Sequence, residues 1–242
     1  MRPPVGARAG AVALVISLAV TACGDDSDSP SVDAAALGEQ AQQIVFDAAY
    51  EQLQAEFEAA GGDEGALSPE SAAALDELRG VELDPAVTDL DEIEADQSYE
   101  QTVNMLTDGV PALYNRWNSL QRALVPVLEQ GDVDASSIES AAPQAALEVV
   151  FEDEYLNIYA ALSGGGVDDE LTSDQTALLT ALGDDSPDID PRETSVQEIQ
   201  EVDGYDGLVR RVIRQVPRLD AVAEQLSEQI VEHRIELLDT RQ

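Results

Sequence analysis

The chain holds one histidine, His233, one cysteine, Cys23, and no lysine among its 242 residues. Side-chain chemistry must therefore come mainly from 50 Asp and Glu or from 12 basic residues, all of them Arg. A single His excludes the paired Glu-x-x-His ligands of a di-iron bundle, and the residue three before His233 is Ile230. The run Asp184-Asp185-Ser186-Pro187-Asp188-Ile189-Asp190 spaces its carboxylates as an EF-hand loop does. That loop needs Gly where Ile189 stands and a bidentate Glu where Ser195 stands, so specific calcium binding is not expected. The sequence has no Gly-x-Ser-x-Gly elbow and no phosphate loop, which removes the common routes to nucleophilic and phosphoryl chemistry. Carboxylate pairs that could cleave a glycoside are inevitable among 50 acids, so a carboxylate-based hydrolase stands only as an alternative. No cofactor is expected.

The densest positive feature is Arg210, Arg211, Arg214 and Arg218, bounded by Asp206 and Asp220 with no acid between. At 100° per residue the four share one helix face, opposite Val212, Val216 and Leu219. This face is a candidate docking surface for an anionic partner such as lipid head groups or an envelope polymer. Salt bridges to acids of the same chain are the competing use. His233 extends the apolar seam beyond Ile230 towards Leu237 and is a candidate pH-sensitive residue. The formal charge of -38 argues against nucleic acid, because phosphate binding depends on clustered Lys and Arg. An aromatic content of 4% argues against a large aromatic-lined pocket, while 44% hydrophobic residues suffice for a packed core.

Residues 1–23 read as an export signal. Arg2 and Arg8 precede an apolar run, Gly10 to Val20, that is shorter than the roughly 20 residues a membrane-spanning helix needs. The run ends in Val20-Thr21-Ala22-Cys23, which resembles the lipobox of bacterial lipoproteins. The resemblance implies cleavage after residue 22 and a diacylglyceryl group on Cys23, which meets the two-chain requirement for stable anchoring. It covers the signal alone. Residues 23–34 then read as a disordered acidic tether.

The body repeats itself. Shifted by 106 residues, Asp84–Leu120 overlays Asp190–Leu226 with 11 identities over 37 positions, among them Asp84/Asp190, Tyr99/Tyr205 and Pro111/Pro217. A shift of 105 aligns Val45-Phe46-Asp47 with Val150-Phe151-Glu152 and pairs Tyr50 with Tyr155. Tandem duplication is the expectation, with helical repeats at 35–130 and 136–240. Within each repeat, helical apolar spacing predicts a first long helix ending at glycines, a short helix after Ser68-Pro69 or Thr172-Ser173, and a third piece from Asp-Pro. A last long helix carries a 4-3 apolar seam through Pro111 or Pro217, expected to kink there without breaking.

No segment alternates with the period of a strand. The fold class predicted is all-α: a tandem-duplicated repeat forming a pseudo-twofold bundle of four long helices with short connecting helices. Two separate helical domains are the runner-up. The functional expectation is an exported protein, lipid-anchored on the extracytoplasmic face through Cys23, with a structural or interaction role in the cell envelope. An extracytoplasmic solute- or cation-binding protein is the alternative. Cleavage before Cys23 removes Arg2 and Arg8 and no acid, leaving 50 acids against 10 arginines, a formal charge of -40. Such an acid excess reads as adaptation to a salty exterior.

Overall fold

The computed structural model describes residues 32–129, 133–163, 171–186 and 188–238. Cys23, its lipobox and the tether up to residue 31 lie outside these described residues. All described regular structure is helical.

Helix α1 (Ala34–Ala59) starts where the Asp33 carboxylate accepts the N–H groups of Ala35 and Ala36. It stops where Gly61 and Gly62 adopt positive φ. There Gly62 N–H donates to Phe57 C=O and Gly61 N–H to Glu58 C=O, which satisfies carbonyls the helix leaves free. Ser68 caps α2 (Pro69–Gly80), with Pro in the first turn, where its missing N–H costs nothing. Then come α3 (Leu90–Glu94), α4 (Tyr99–Gly109) and α5 (Pro111–Leu128). The later part of the chain forms α6 (Ala135–Ser163), α7 (Ser173–Asp185), α8 (Val196–Gln200), α9 (Tyr205–Ile213), α10 (Pro217–Glu232) and α11 (Arg234–Leu238). Thr172 and Ser195 close reciprocal capping boxes at the starts of α7 and α8.

Two local expectations are corrected. The seam helices do not kink at proline; they break. Val110 takes φ -104, ψ 106 and Val216 takes φ -116, ψ 90, both extended, and each following proline opens a new helix. The proline ring clashes with a preceding residue in α conformation, so the chain leaves the helix one residue early. The seam runs on across the break because Val110 and Val216 are themselves buried, each 2% exposed. The Asp-Pro pairs do not start helices either. Asp84 and Asp190 accept the N–H groups of Ala86 and Arg192 in tight turns, and the short helices begin later, after Asp89 and Ser195.

The long helices pack in the order α1, α5, α6, α10. Helix α6 is the pivot: α5 covers one side and α10 another, with α9 across it. Its buried residues accordingly run around the helix, from Ile138, Ala142 and Ala146 to Val149, Val150 and Phe151. The α5–α6 packing has no counterpart of similar extent between α10 and α1, so the bundle is an open row and not a closed pseudo-twofold ring. One apolar core joins all four long helices.

Like residues of the two halves make like contacts. Phe46 stacks on Tyr50 with centroids 5.9 Å apart and meets the edge of Tyr99 at 5.8 Å. Phe151 stacks on Tyr155 at 5.6 Å and meets Tyr205 at 6.0 Å. The buried hydroxyls of Tyr50 and Tyr155 each donate to a turn carbonyl, Thr88 and Thr194, at 2.8 Å.

Candidate functional site

The chemically distinctive positions sit where α4 and α9 cross the long helices α1 and α6. In the first half Tyr99, at the start of α4, donates its hydroxyl to the Asp47 carboxylate on α1 at 3.0 Å. In the second, Tyr205 donates to Glu152 on α6 at 3.1 Å. The two stations differ in their other partners. Glu152 also receives the Gln200 amide at 2.6 Å and the Arg122 guanidinium at 2.7 Å. Asp47 faces Glu94 and Glu51 instead, and burial pushes its carboxyl up to about 6 despite the Tyr99 hydrogen bond. Burial also raises both phenols, reinforced by the carboxylate each one meets.

Arg122 ties the two halves together by charge. It reaches from α5 to Glu152 and Asp153 of α6, and Ser119 adds a hydrogen bond to Asp153 at 2.9 Å. Burial works against the charge on Arg122, but Asp153 and Glu152 hold its pKa above the usual value.

The four clustered arginines prove divided in role. The break after Ile213 separates Arg210 and Arg211 on α9 from Arg218 on α10, with Arg214 exposed at the α9 C-cap. Arg211 pairs with Asp185 at the end of α7 and Arg218 with Asp174 at its start, both at 3.2 Å, so these two hold α7 by its ends. Arg210 donates to the neutral Gln144 amide at 2.6 Å. Aligned by sequence, Arg218 corresponds to Ala112. In space it corresponds to Arg116, which pairs with Glu70 at the start of α2 at 2.7 Å, as Arg218 does with Asp174 at the start of α7. The arginine has moved by one helical turn while the link between the short helix and the seam helix stays.

His233 lies half-buried at the α10 C-cap, where φ -94 and ψ 15 end the helix and its N–H bonds Gln229 C=O. Next to it the Arg234 Nε lies 2.8 Å from Glu139, a charge contact whose N–H is not aimed at the carboxylate. In the EF-hand-like run, Asp185 is taken by Arg211 and Gln215, and Asp190 by its own turn. Among the described residues no three His, Cys, Asp or Glu side chains converge to hold a metal ion, and no helix is long and apolar enough to cross a membrane.

A polar cleft of about 480 Å³ opens beside the Asp47 station, with Glu39, Gln43, Glu94, Tyr99 and Glu100 in its walls. The buried Gln42 forms part of its floor and donates to Thr107 at 2.5 Å, and Thr107 donates onward to Val103 C=O. Neither station was singled out as a site by the sequence reading, because partners 52 and 53 residues apart show no local motif. The available signal was the repeat itself, which keeps an acid at 47 and 152 and a tyrosine at 99 and 205.

No family model matches this chain, and no curated protein or solved structure matches it.

Proposed function

We propose that the chain is an exported lipoprotein, anchored through Cys23, whose helical body serves a structural or interaction role at the cell envelope. The observation that carries the reading is the only cysteine of the sequence at the end of Val20-Thr21-Ala22-Cys23, after a basic start and a short apolar run. The character of the body supports it: several of its arginines tie helices to one another, as Arg122, Arg211 and Arg218 do. The body arose by duplication of a unit of about 105 residues; the matched stacking and tyrosine–carbonyl contacts support this.

The test is metabolic labelling of the full chain with an alkyne palmitate in a bacterial host, followed by fractionation. Label and membrane association should both be lost in Cys23→Ser. An unlabelled, soluble wild-type chain overturns the reading. The docking face for an anionic envelope partner narrows to Arg210 and Arg214, the two cluster members that form no ion pair among the described residues. Reversing both to Glu should abolish salt-dependent binding to anionic polymer or vesicles and leave the melting temperature unchanged.

The cleft favours a second reading, binding of a cation or small solute outside the cytoplasm. Equilibrium dialysis with radiolabelled Ca²⁺ at high ionic strength separates the two: stoichiometric tight uptake favours binding, and diffuse weak uptake the structural role. A carboxylate-based hydrolase draws on a carboxyl raised by burial, Asp47 foremost beside Glu148 and Glu154, and glycan hydrolysis abolished by Asp47→Asn would be its signature.

A further inference from the structure

On the reading that the polar cleft beside α1 binds a cation or small solute, we propose that the group it receives is a guanidinium. The carrier is a small molecule or an arginine of a partner chain.

The two halves build this place from equivalent positions and complete it differently. In the second half Arg210 on α9 reaches across to α6 and donates to the Gln144 side chain at 2.6 Å. The equivalent positions are Asn104 on α4 and Glu39 on α1, and both stand in the wall of the cleft. The match is spatial as well as sequential, because the neighbouring bonds Tyr99 to Asp47 and Tyr205 to Glu152 correspond. One half therefore sends its own guanidinium from the shorter helix to the long one. In the other the bridging side chain is cut back to an amide, and the group it would meet gains a negative charge. Around the whole cleft the first half has four acids and no arginine, where the equivalent positions of the second have three acids and Arg210.

The floor of the cleft points the same way. Gln42 is 7% exposed. Thr107 gives its hydroxyl hydrogen to Val103 C=O at 2.8 Å, so towards Gln42 it can only accept. Gln42 Nε2 is thereby turned to Thr107, and its Oε1 accepts no hydrogen bond among the described residues. Arg234 Nε is the one described side-chain polar atom both sealed from solvent and unpartnered, so Gln42 Oε1 opens on the cleft that its residue lines. A largely buried carbonyl oxygen fixed in this way is a placed acceptor that calls for a donor.

A guanidinium is all donor, with five N–H groups in one plane and a delocalised charge. Its hydrogens suit Gln42 Oε1. Its charge suits walls in which Glu39, Glu94 and Glu100 form no ion pair among the described residues. The three arginines of residues 32–129 are committed elsewhere: Arg79 to Glu64, Arg116 to Glu70, and Arg122 to Glu152 and Asp153. A bare metal ion suits the cleft less well, since no three carboxylates converge among the described residues.

The experiment titrates the ¹⁵N-labelled full chain with butylguanidinium at physiological ionic strength, where the screening length is about 8 Å, and follows backbone amide shifts by NMR. Residues 39–43 and 94–104 report the cleft, and the equivalent residues 144–148 and 200–210 are the internal control. Shifts should saturate in the cleft segments alone. Butylurea, similar in shape but uncharged, should leave them unmoved. Asn104→Arg gives the first half the arginine of the second and should abolish the saturable shifts without lowering the melting temperature. Glu39→Gln, which copies Gln144, should weaken binding by about fivefold. Both carriers fit the proposal: an acetyl-Gly-Arg-Gly-amide peptide that binds about tenfold more tightly than butylguanidinium identifies a partner's arginine, and equal affinity identifies a small molecule. Equal shifts in the two halves, as diffuse attraction to an acidic chain would give, overturn the proposal. So does undiminished binding by the Asn104→Arg chain. Titration with Ca²⁺ separates the proposal from the reading beneath it. Saturable cleft shifts with Ca²⁺ and none with butylguanidinium overturn the guanidinium and keep the cleft as a cation site, whereas no saturable shift with either removes both.

Discussion

Replacing Gln42 by Leu and Thr107 by Val, singly and together, tests whether a buried polar pair acts as one unit. Gln42 is 7% exposed and Thr107 fully buried. Their equivalents in the second half, Leu147 and Ile213, are buried and apolar, so both partners changed character together. Thr107→Val swaps a hydroxyl for a methyl of the same shape and strands the Gln42 amide. A stranded buried polar group costs about 1–3 kcal/mol. Because Gln42 edges the cleft, water recovers part of this, and about 1–2 kcal/mol is expected.

Gln42→Leu is milder. Thr107 Oγ1 keeps its 2.8 Å hydrogen bond to Val103 C=O, so the loss should stay under about 1 kcal/mol. With both replaced nothing is stranded, and the double variant should lie within about 0.5 kcal/mol of wild type, because removing both partners of a hydrogen bond is close to neutral. The coupling energy is then about 1–2 kcal/mol. At about 2–4 °C per kcal/mol for a body of this size, Thr107→Val should lower the melting temperature by about 2–8 °C, and Gln42→Leu in the same chain should restore it. The assay is thermal and urea unfolding of all four proteins followed by circular dichroism at 222 nm. Additive losses, with the double variant worse than either single, would refute the reasoning.

Tyr155→Phe should cost more than Tyr50→Phe, about 1–2 against about 0.5–1 kcal/mol, because Thr88 C=O also receives Gln54 at 2.9 Å; urea midpoints compare the two. Glu82→Gly should gain about 0.5–1 kcal/mol, since Glu82 sits at φ 60 in the turn closing α2 and Gly adopts that conformation without strain; an unchanged urea midpoint counts against it. Arg122→Gln should destabilise by about 1–2 kcal/mol, a figure reduced for an arginine side chain 38% exposed, and should reduce the salt sensitivity of the melting temperature. With a net charge of -38, helicity should rise between 10 mM and 1 M salt as the screening length shrinks from about 30 to about 3 Å; superimposable spectra would contradict this.

What was legible in the sequence was whatever local chemistry decides. Ser68 and Thr172 begin helices and Gly61-Gly62 ends one, because a cap or a positive φ is settled within a few residues. The breaks at Pro111 and Pro217 were misread for a specific reason: apolar spacing reports burial, and Val110 is buried whether or not it is helical. Alignment sets Arg218 against Ala112, whereas an ion pair fixes only where the charge ends up. A guanidinium placed one turn away still reaches the start of the short helix. The Asp47 and Glu152 stations depend on partners from separate helices, and only folding brings these together.

The placement of α6 bears on how the chain comes to be folded. If the polypeptide emerges amino-terminus first, α1 to α5 are complete while the face of α5 that α6 will cover is still bare. Leu120, Leu124, Val127 and Leu128 crowd the buried side of α5, and α6 is a principal cover for that helix. Helix α6 in turn waits for α10, near the end of the chain, before its far side is clad. The two halves are therefore not independent modules that fold in succession: the second completes the first, and the first offers an unfinished apolar surface until it does.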